Sequence, residues 1–102
     1  MLNEENKNLC WDVLAKYGTR NQRRMIIEEC SELQKAVCKL FRQPDSNEYY
    51  RNYIEELVDV IVMAQEMLLD ENISMDDVNG MAREKLLRAL EDDNHVCAGR
   101  EV

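Results

Sequence analysis

Apolar residues recur every three to four positions along most of the chain, and no stretch alternates apolar and polar residues as a strand would. The first predicted helix covers residues 3–16, and Gly18 ends it. From this helix we expect Cys10, Trp11 and Leu14 to contribute to the core. The spacing predicts an all-α fold.

Two longer helices follow in the sequence. The second is predicted over residues 19–42, with Thr19 as its N-cap and Pro44 just beyond its end. The third begins near Asp45 or Ser46 and runs to about residue 70. Because the linker between them is short, we expect these two helices to form an antiparallel hairpin.

A fourth helix is predicted from Ser74, its expected N-cap, to about residue 90. Residues 92–102 have no periodicity, and we expect a mobile tail there. The length of 102 residues fits one domain, which we assign to residues 1–91. The expected protomer resembles a four-helix bundle with two long central antiparallel helices.

Acidic residues lie at the border of the apolar face of the second helix. At 100° per residue, the apolar positions form one stripe that we expect in the core: Ile26, Cys30, Leu33, Val37 and Leu40. Glu29 and Glu32, three residues apart, project from neighbouring points at the edge of that stripe, whereas Glu28 points largely away. The motif E-E-x-x-E therefore places two carboxylates beside the core.

The third helix is apolar on both sides. Ile54, Val58 and Ile61 belong to an expected core stripe, while Glu56 and Asp59 lie on the opposite side among Val60, Met63 and Met67. We therefore expect Asp59 in a place of low dielectric constant, where a carboxylate is costly unless it is paired, binds a metal ion or takes up a proton with a raised pKa. One chain of four helices does not supply enough partners for both apolar sides, so a homo-oligomeric bundle is expected.

The charge balance narrows the function. The net charge is −8, which argues against nucleic-acid binding because phosphate requires a basic surface. The clustered carboxylates repel each other unless a cation joins them, and Mg²⁺ prefers such oxygen ligands; Mn²⁺ is an expected substitute. No membrane-spanning run, signal peptide or C-x-x-C pair is visible, so we expect a cytoplasmic protein with reduced thiols.

The two acidic motifs also resemble a known family. Residues 22–42 (QRRMIIEECSELQKAVCKLFR) and 54–68 (IEELVDVIVMAQEML) resemble the MazG-like nucleoside triphosphate pyrophosphohydrolases, whose hallmark is E-E-x-x-E on one helix and E-x-x-D on the next. The stretch EKLLRAL in residues 84–90 extends the resemblance. It implies an all-α enzyme that forms dimers or tetramers and hydrolyses an NTP or dNTP to the monophosphate and pyrophosphate, with a role in clearing nucleotide pools.

The resemblance implies roles for individual residues. The implied Mg²⁺ ligands are Glu29, Glu32, Glu56 and Asp59, with Glu28 as an auxiliary acid. The implied contacts to substrate are Gln22, Lys35, Lys39, Lys85 and Arg88. The main alternative is a non-catalytic helical module that binds nucleotide or another protein. A further alternative, a di-iron bundle, would need Glu-x-x-His pairs, which the sequence lacks. Another is a helical adaptor whose acidic residues only keep it soluble, and nucleotide with Mg²⁺ would not stabilise such a protein.

Overall fold

The computed structural model describes residues 1–91, and the predicted tail at 92–102 lies outside them. The helices are α1 (Glu4–Tyr17), α2 (Thr19–Arg42), α3 (Asn47–Asp70) and α4 (Met75–Glu91). No strand occurs in this part of the chain, so the expected all-α class is confirmed. None of these helices combines the length and the low charge that a membrane span requires.

The junction between α1 and α2 depends on one glycine. Gly18 has a φ of 85°, a conformation that costs glycine little, and its N–H donates to the carbonyl of Leu14. The prediction that Thr19 caps α2 is wrong, because no side chain caps this helix. The Thr19 hydroxyl instead donates to Asp70 Oδ1 at 2.9 Å, which joins the start of α2 to the end of α3.

Serine side chains cap the next two helices. Ser46 Oγ accepts a hydrogen bond from the N–H of Tyr49 at 3.1 Å, so Ser46 rather than Asp45 is the N-cap of α3. Ser74 Oγ accepts from the N–H of Asp77 at 3.1 Å, as its position before α4 predicts. These caps satisfy backbone donors that a helix start leaves free.

The chain divides into two compact units, Met1–Asn72 and a part that begins at Ile73 and contains α4. In the first unit α2 and α3 pack along each other and α1 contacts both. Arg23 near the start of α2 pairs with Glu71 just beyond α3, so these two helices run in opposite directions.

Polar side chains share the interior of the first unit with a few apolar ones. Cys10, Leu14 and Ala36 are buried, and so are three polar residues: Gln22, Gln65 and Glu66. The N–H of Leu2 donates to Gln65 Oε1 at 3.2 Å. The expectation of a buried Trp11 is wrong, since 47% of this residue is exposed.

The side of α3 that packs against α2 is the one that carries its acidic residues. The expected core stripe is wrong at three positions, because Ile54, Val58 and Ile61 are 39%, 50% and 36% exposed. Val60 and Met63, on the other side, line a cavity shared with α2. A helix that is apolar all round does not specify by pattern alone which side meets its neighbour.

Candidate metal site

Three carboxyl groups from two helices meet in the first unit. Glu29 projects from α2, and Glu56 and Asp59, one turn apart, project from α3. One carboxylate oxygen of each lies within 4.8 Å of those of the other two. We call these three residues the carboxylate cluster. The antiparallel packing of α2 and α3 is what brings the two sequence motifs together.

The members of the cluster differ in how far they are removed from water. Glu29 and Glu56 are half-buried, whereas Asp59 is exposed. The expectation that Asp59 occupies the low-dielectric place is therefore wrong, because Glu56 takes that position. Its Oε2 is buried and accepts no hydrogen bond from any of the described residues.

Desolvation and mutual repulsion act on two of the carboxyl groups. Burial raises the pKa of Glu29 above its ordinary value, and the negative charges of Asp59 and Glu56 raise it further. Burial is also the largest cause of the raised pKa of Glu56, followed by the charges of Asp59 and Glu32. The close approach of the Asp59 carboxyl group adds to the raised pKa of Glu56.

The cluster fits a hard divalent cation. All its donors are carboxylate oxygens, the ligands that Mg²⁺ prefers and Mn²⁺ accepts. Within residues 1–91, none of the three acids forms an ion pair with a basic side chain. A cation would offset their repulsion and give the buried Glu56 Oε2 a partner, so the residues present suit Mg²⁺ chemically.

The other two acids of the first motif lie at the margin of the cluster. Glu32 contributes to the raised pKa of both Glu29 and Glu56, yet its oxygens are not among the three that converge. Its side chain is 50% exposed, and Oε1 lies 3.4 Å from Lys35 Nζ. Glu28 is exposed and adds its negative charge to the surroundings of Glu29.

The predicted substrate contacts lie in different surroundings. Gln22 is 7% exposed and belongs to the interior. Lys39 is exposed, with Nζ 6.0 Å from the centre of the Tyr49 ring. Lys85 and Arg88 are exposed on α4, which belongs to the other compact unit. Of the predicted contacts in the first unit, Lys35 approaches the acids most directly, through Glu32.

Sequence reasoning missed a second buried acid on α3. Glu66 is 1% exposed, and its Oε1 has no hydrogen-bond partner within residues 1–91. Desolvation raises its pKa. It follows Asp59 by seven residues, which is two helical turns along nearly the same face. The signal was present, because Gln65 and Glu66 are the only polar residues in the run 60–69.

Comparisons with family models, curated proteins and solved structures found no match to this chain. The resemblance to the MazG-like enzymes therefore rests on the acidic motifs themselves and stays a prediction. The convergence of Glu29, Glu56 and Asp59 is a separate observation, and it concerns chemistry rather than ancestry.

Proposed function

We propose that this protein is a Mg²⁺-dependent nucleoside triphosphate pyrophosphohydrolase of the MazG-like type. Its reaction would convert an NTP or dNTP to the monophosphate and pyrophosphate. The observation that carries the proposal is the carboxylate cluster, with oxygens of Glu29, Glu56 and Asp59 within 4.8 Å of one another and a buried Glu56 oxygen that no described residue satisfies. Such a constellation suits a cation that also binds phosphate.

Each acid has a distinct part in the proposed reaction. Glu29, Glu56 and Asp59 would bind the ion. Glu32 would be the fourth ligand once its side chain breaks the exposed ion pair with Lys35, which is weak. Bound Mg²⁺ would supply positive charge and lower the pKa of a coordinated water. Glu28, exposed and next to Glu29 in the sequence, would be the auxiliary acid that accepts a proton from the attacking water.

Basic side chains would offset the charge of the phosphates that the cation leaves uncovered. Lys35 and Lys39 lie on α2 with the first motif, and Lys85 and Arg88 are further candidates on α4. Because Gln22 is buried, we assign it to the packing of the first unit and not to direct contact with substrate. Positioning and electrostatics provide most of the rate enhancement in phosphoryl chemistry.

We also propose that the active form is a homodimer or homotetramer in which α2 and α3 are the centre of a helical bundle. Ile54, Val58 and Ile61 form an apolar stripe on α3 that is 36–50% exposed and suits a second copy. Size-exclusion chromatography with light scattering tests this, and a monomer at micromolar concentration would contradict it. The protein would act in the cytoplasm, where thiols such as those of Cys10, Cys30 and Cys38 stay reduced.

The decisive experiment is a panel of NTPs and dNTPs with Mg²⁺, in which pyrophosphate and orthophosphate release are measured separately. We expect pyrophosphate with one or more nucleotides, loss of activity in EDTA and recovery with Mn²⁺. Calorimetry should detect uptake of Mg²⁺ or Mn²⁺ in the presence of a non-hydrolysable nucleotide. If the ion is not bound with or without the nucleotide, the enzymatic proposal is wrong.

The alternative is a non-catalytic helical module that binds a nucleotide or another protein. The exposed stripe on α3 is compatible with a protein partner, so this alternative has an observation of its own. The same panel separates the two functions. A module would bind the nucleotide, or nothing, and would release no pyrophosphate.

A further inference from the structure

The first helix packs on α2 and α3 through an interface with few apolar groups. Cys10 and Leu14 are the buried residues of α1. Much of Leu9, Trp11 and Tyr17 on the same helix remains exposed. Two buried side chains of modest size contribute only a small part of the stability of a domain, so α1 is suited to local opening.

α1 can leave its position without disturbing the packing of α2 against α3. Gly18, with a φ of 85°, is the one residue between α1 and α2. The hydrogen bond from Thr19 to Asp70 joins α2 directly to α3, and the ion pair of Arg23 with Glu71 joins α2 to the end of α3. None of these contacts involves α1. A change of backbone angles at one residue is enough for such a hinge motion.

Glu66 is the buried acid at this interface. It is 1% exposed, and its Oε1 has no hydrogen-bond partner among residues 1–91. The adjacent Gln65 accepts a hydrogen bond from the N–H of Leu2, which fixes the segment before α1. Burial raises the pKa of the Cys10 thiol and the charge of Glu66 raises it further, so the two side chains lie close together. A neutral carboxyl group fits such a place, whereas a carboxylate without a partner is costly there.

The nearby basic side chains have other partners. On α1, Lys7 lies one turn before Cys10 and pairs with Glu4 at 3.5 Å. On α2, Arg23 pairs with Glu71 at 3.0 Å. Within residues 1–91, no basic side chain forms an ion pair with Glu66. A charge on Glu66 would therefore remain without compensation from α1 or α2.

The other ionisable neighbours of Glu66 are acids, and the buried side chain on α2 is neutral. Cys10 faces Glu66 from α1, and a thiolate there would repel a carboxylate. On α3, Asp59 precedes Glu66 by two turns and Asp70 follows it by one, and both are exposed. Gln22, the buried polar residue of α2, carries no charge. Uptake of a proton is thus the means by which Glu66 becomes compatible with the packed position of α1.

We propose that Glu66 is a pH-sensitive switch for the position of α1, which stays on α2 and α3 while Glu66 is protonated and swings away about Gly18 when Glu66 ionises. Desolvation raises the pKa of Glu66 while α1 is packed, and the carboxyl group returns to its ordinary value of 4.5 when α1 opens. The equilibrium constant for opening therefore rises about tenfold for each pH unit between these two pKa values and is constant above the higher one.

Cys10 provides the measurement, because its thiol is buried while α1 is packed. In a full-length variant with Cys10 as the only cysteine, the rate of reaction with 4,4′-dithiodipyridine reports the opening of α1. Each rate is divided by that of the same variant unfolded in urea at the same pH, which removes the titration of the thiol itself. We expect the normalised rate, in EDTA, to rise about tenfold per pH unit above about pH 4.5 and then to level off.

Three variants separate the switch from other causes. Glu66→Gln in the same background should keep the low-pH rate at every pH, because the amide does not ionise. Glu55→Gln, which removes an exposed charge from α3, should retain the wild-type profile. Ala36 is 1% exposed on α2, so Ala36→Cys in a chain without other cysteines reports the opening of α2 from α3. Its normalised rate should be at least about tenfold lower than that of Cys10 and should not follow the same rise with pH.

Two results would overturn the proposal. A normalised Cys10 rate that is independent of pH, or one that rises equally in Glu66→Gln, would show that Glu66 does not control α1. An equal rise at Ala36→Cys would show that the whole unit opens and not α1 alone. The proposed enzymatic function is tested separately, since absence of pyrophosphate release would leave the pH profile of Cys10 unchanged.

Discussion

Carboxyl groups are removed from water at two places on α3, and the two places differ in what would satisfy them. In the carboxylate cluster, desolvation and the charges of neighbouring acids both raise the pKa values of Glu29 and Glu56. At Glu66, desolvation alone raises the pKa. Several acids that face one another repel each other, and a divalent cation offsets that repulsion. A single buried acid becomes neutral when it binds one proton.

Both places contain an oxygen without a donor, and this shows that burial alone does not identify a metal site. Glu56 Oε2 and Glu66 Oε1 are both buried without a hydrogen-bond partner among residues 1–91. Only Glu56 has two further carboxylates close enough to share an ion with it. The number of converging acids, rather than their depth, therefore distinguishes a candidate metal site from a neutral acid in the interior.

The largest expected effect is the loss of catalysis when the cluster is altered. Asp59→Asn or Glu32→Gln should lower kcat by roughly a thousandfold or more, because each removes a charge that would hold the cation. Asp59 is exposed, so circular dichroism and thermal unfolding should show an intact fold. Pyrophosphate release under saturating Mg²⁺ is the measurement.

Glu55→Gln is the matched control for these variants. Glu55 is exposed, adjoins Glu56 on α3 and is not one of the three converging acids. Its removal should change kcat by no more than a few-fold. If Asp59→Asn and Glu55→Gln behaved alike, the cluster would not be the catalytic site.

A smaller effect, on stability, is expected at Glu66. Its ordinary pKa is 4.5 and burial raises the pKa in the folded state, so the folded protein binds the proton more tightly than the unfolded chain does. The tighter proton binding stabilises the folded protein. This contribution to the free energy of unfolding is fully present below about pH 4.5 and is lost as pH rises through the pKa of Glu66 in the folded state. Each unit by which the pKa is raised corresponds to about 1.4 kcal/mol.

Glu66→Gln should remove this part of the pH dependence. The free energy of unfolding, measured with urea in EDTA, should increase relative to wild type as pH rises above about 4.5, since the amide does not ionise. Glu66 also acts on Cys10 of α1. Burial raises the pKa of the Cys10 thiol, and the negative charge of Glu66 raises it further. Parallel pH curves for the two proteins would mean that Glu66 remains ionised on folding.

The helices and their caps could be predicted from the sequence because their signals are local. Gly18, Ser46 and Ser74 each act within one turn of their own position. Thr19 does not cap α2 because the helix already begins at this residue, with Gly18 as its N-cap, and the Thr19 hydroxyl donates to Asp70. A capping motif predicts which hydrogen bonds a side chain can form within its own helix turn. It does not predict the contacts with distant residues that the folded structure adds.

The acidic motifs were predicted, but the depth of each acid was not. Periodicity places Glu56 and Asp59 on one side of α3, yet it does not specify which of them meets α2 and which meets solvent. For the same reason Ile54 and Val58 were expected in the core and are exposed. Because α3 is apolar on both sides, only the position of its neighbours resolves the ambiguity.

The smallest expected effect concerns charges that remain in water. Arg23 and Glu71 form an ion pair of 3.0 Å in which each side chain is 60% exposed. A double-mutant cycle with Arg23→Gln and Glu71→Gln should give a coupling energy below about 1 kcal/mol, decreasing with added salt. Urea unfolding of the four proteins measures it.

This pair is the reference against which the buried acids should be compared. The charges of Arg23 and Glu71 keep most of their hydration, so removing one of them leaves no desolvated charge without a partner. Removing a cation from the carboxylate cluster would leave such charges. A coupling energy well above about 1 kcal/mol would show that α2 and α3 are held together by charge at their ends.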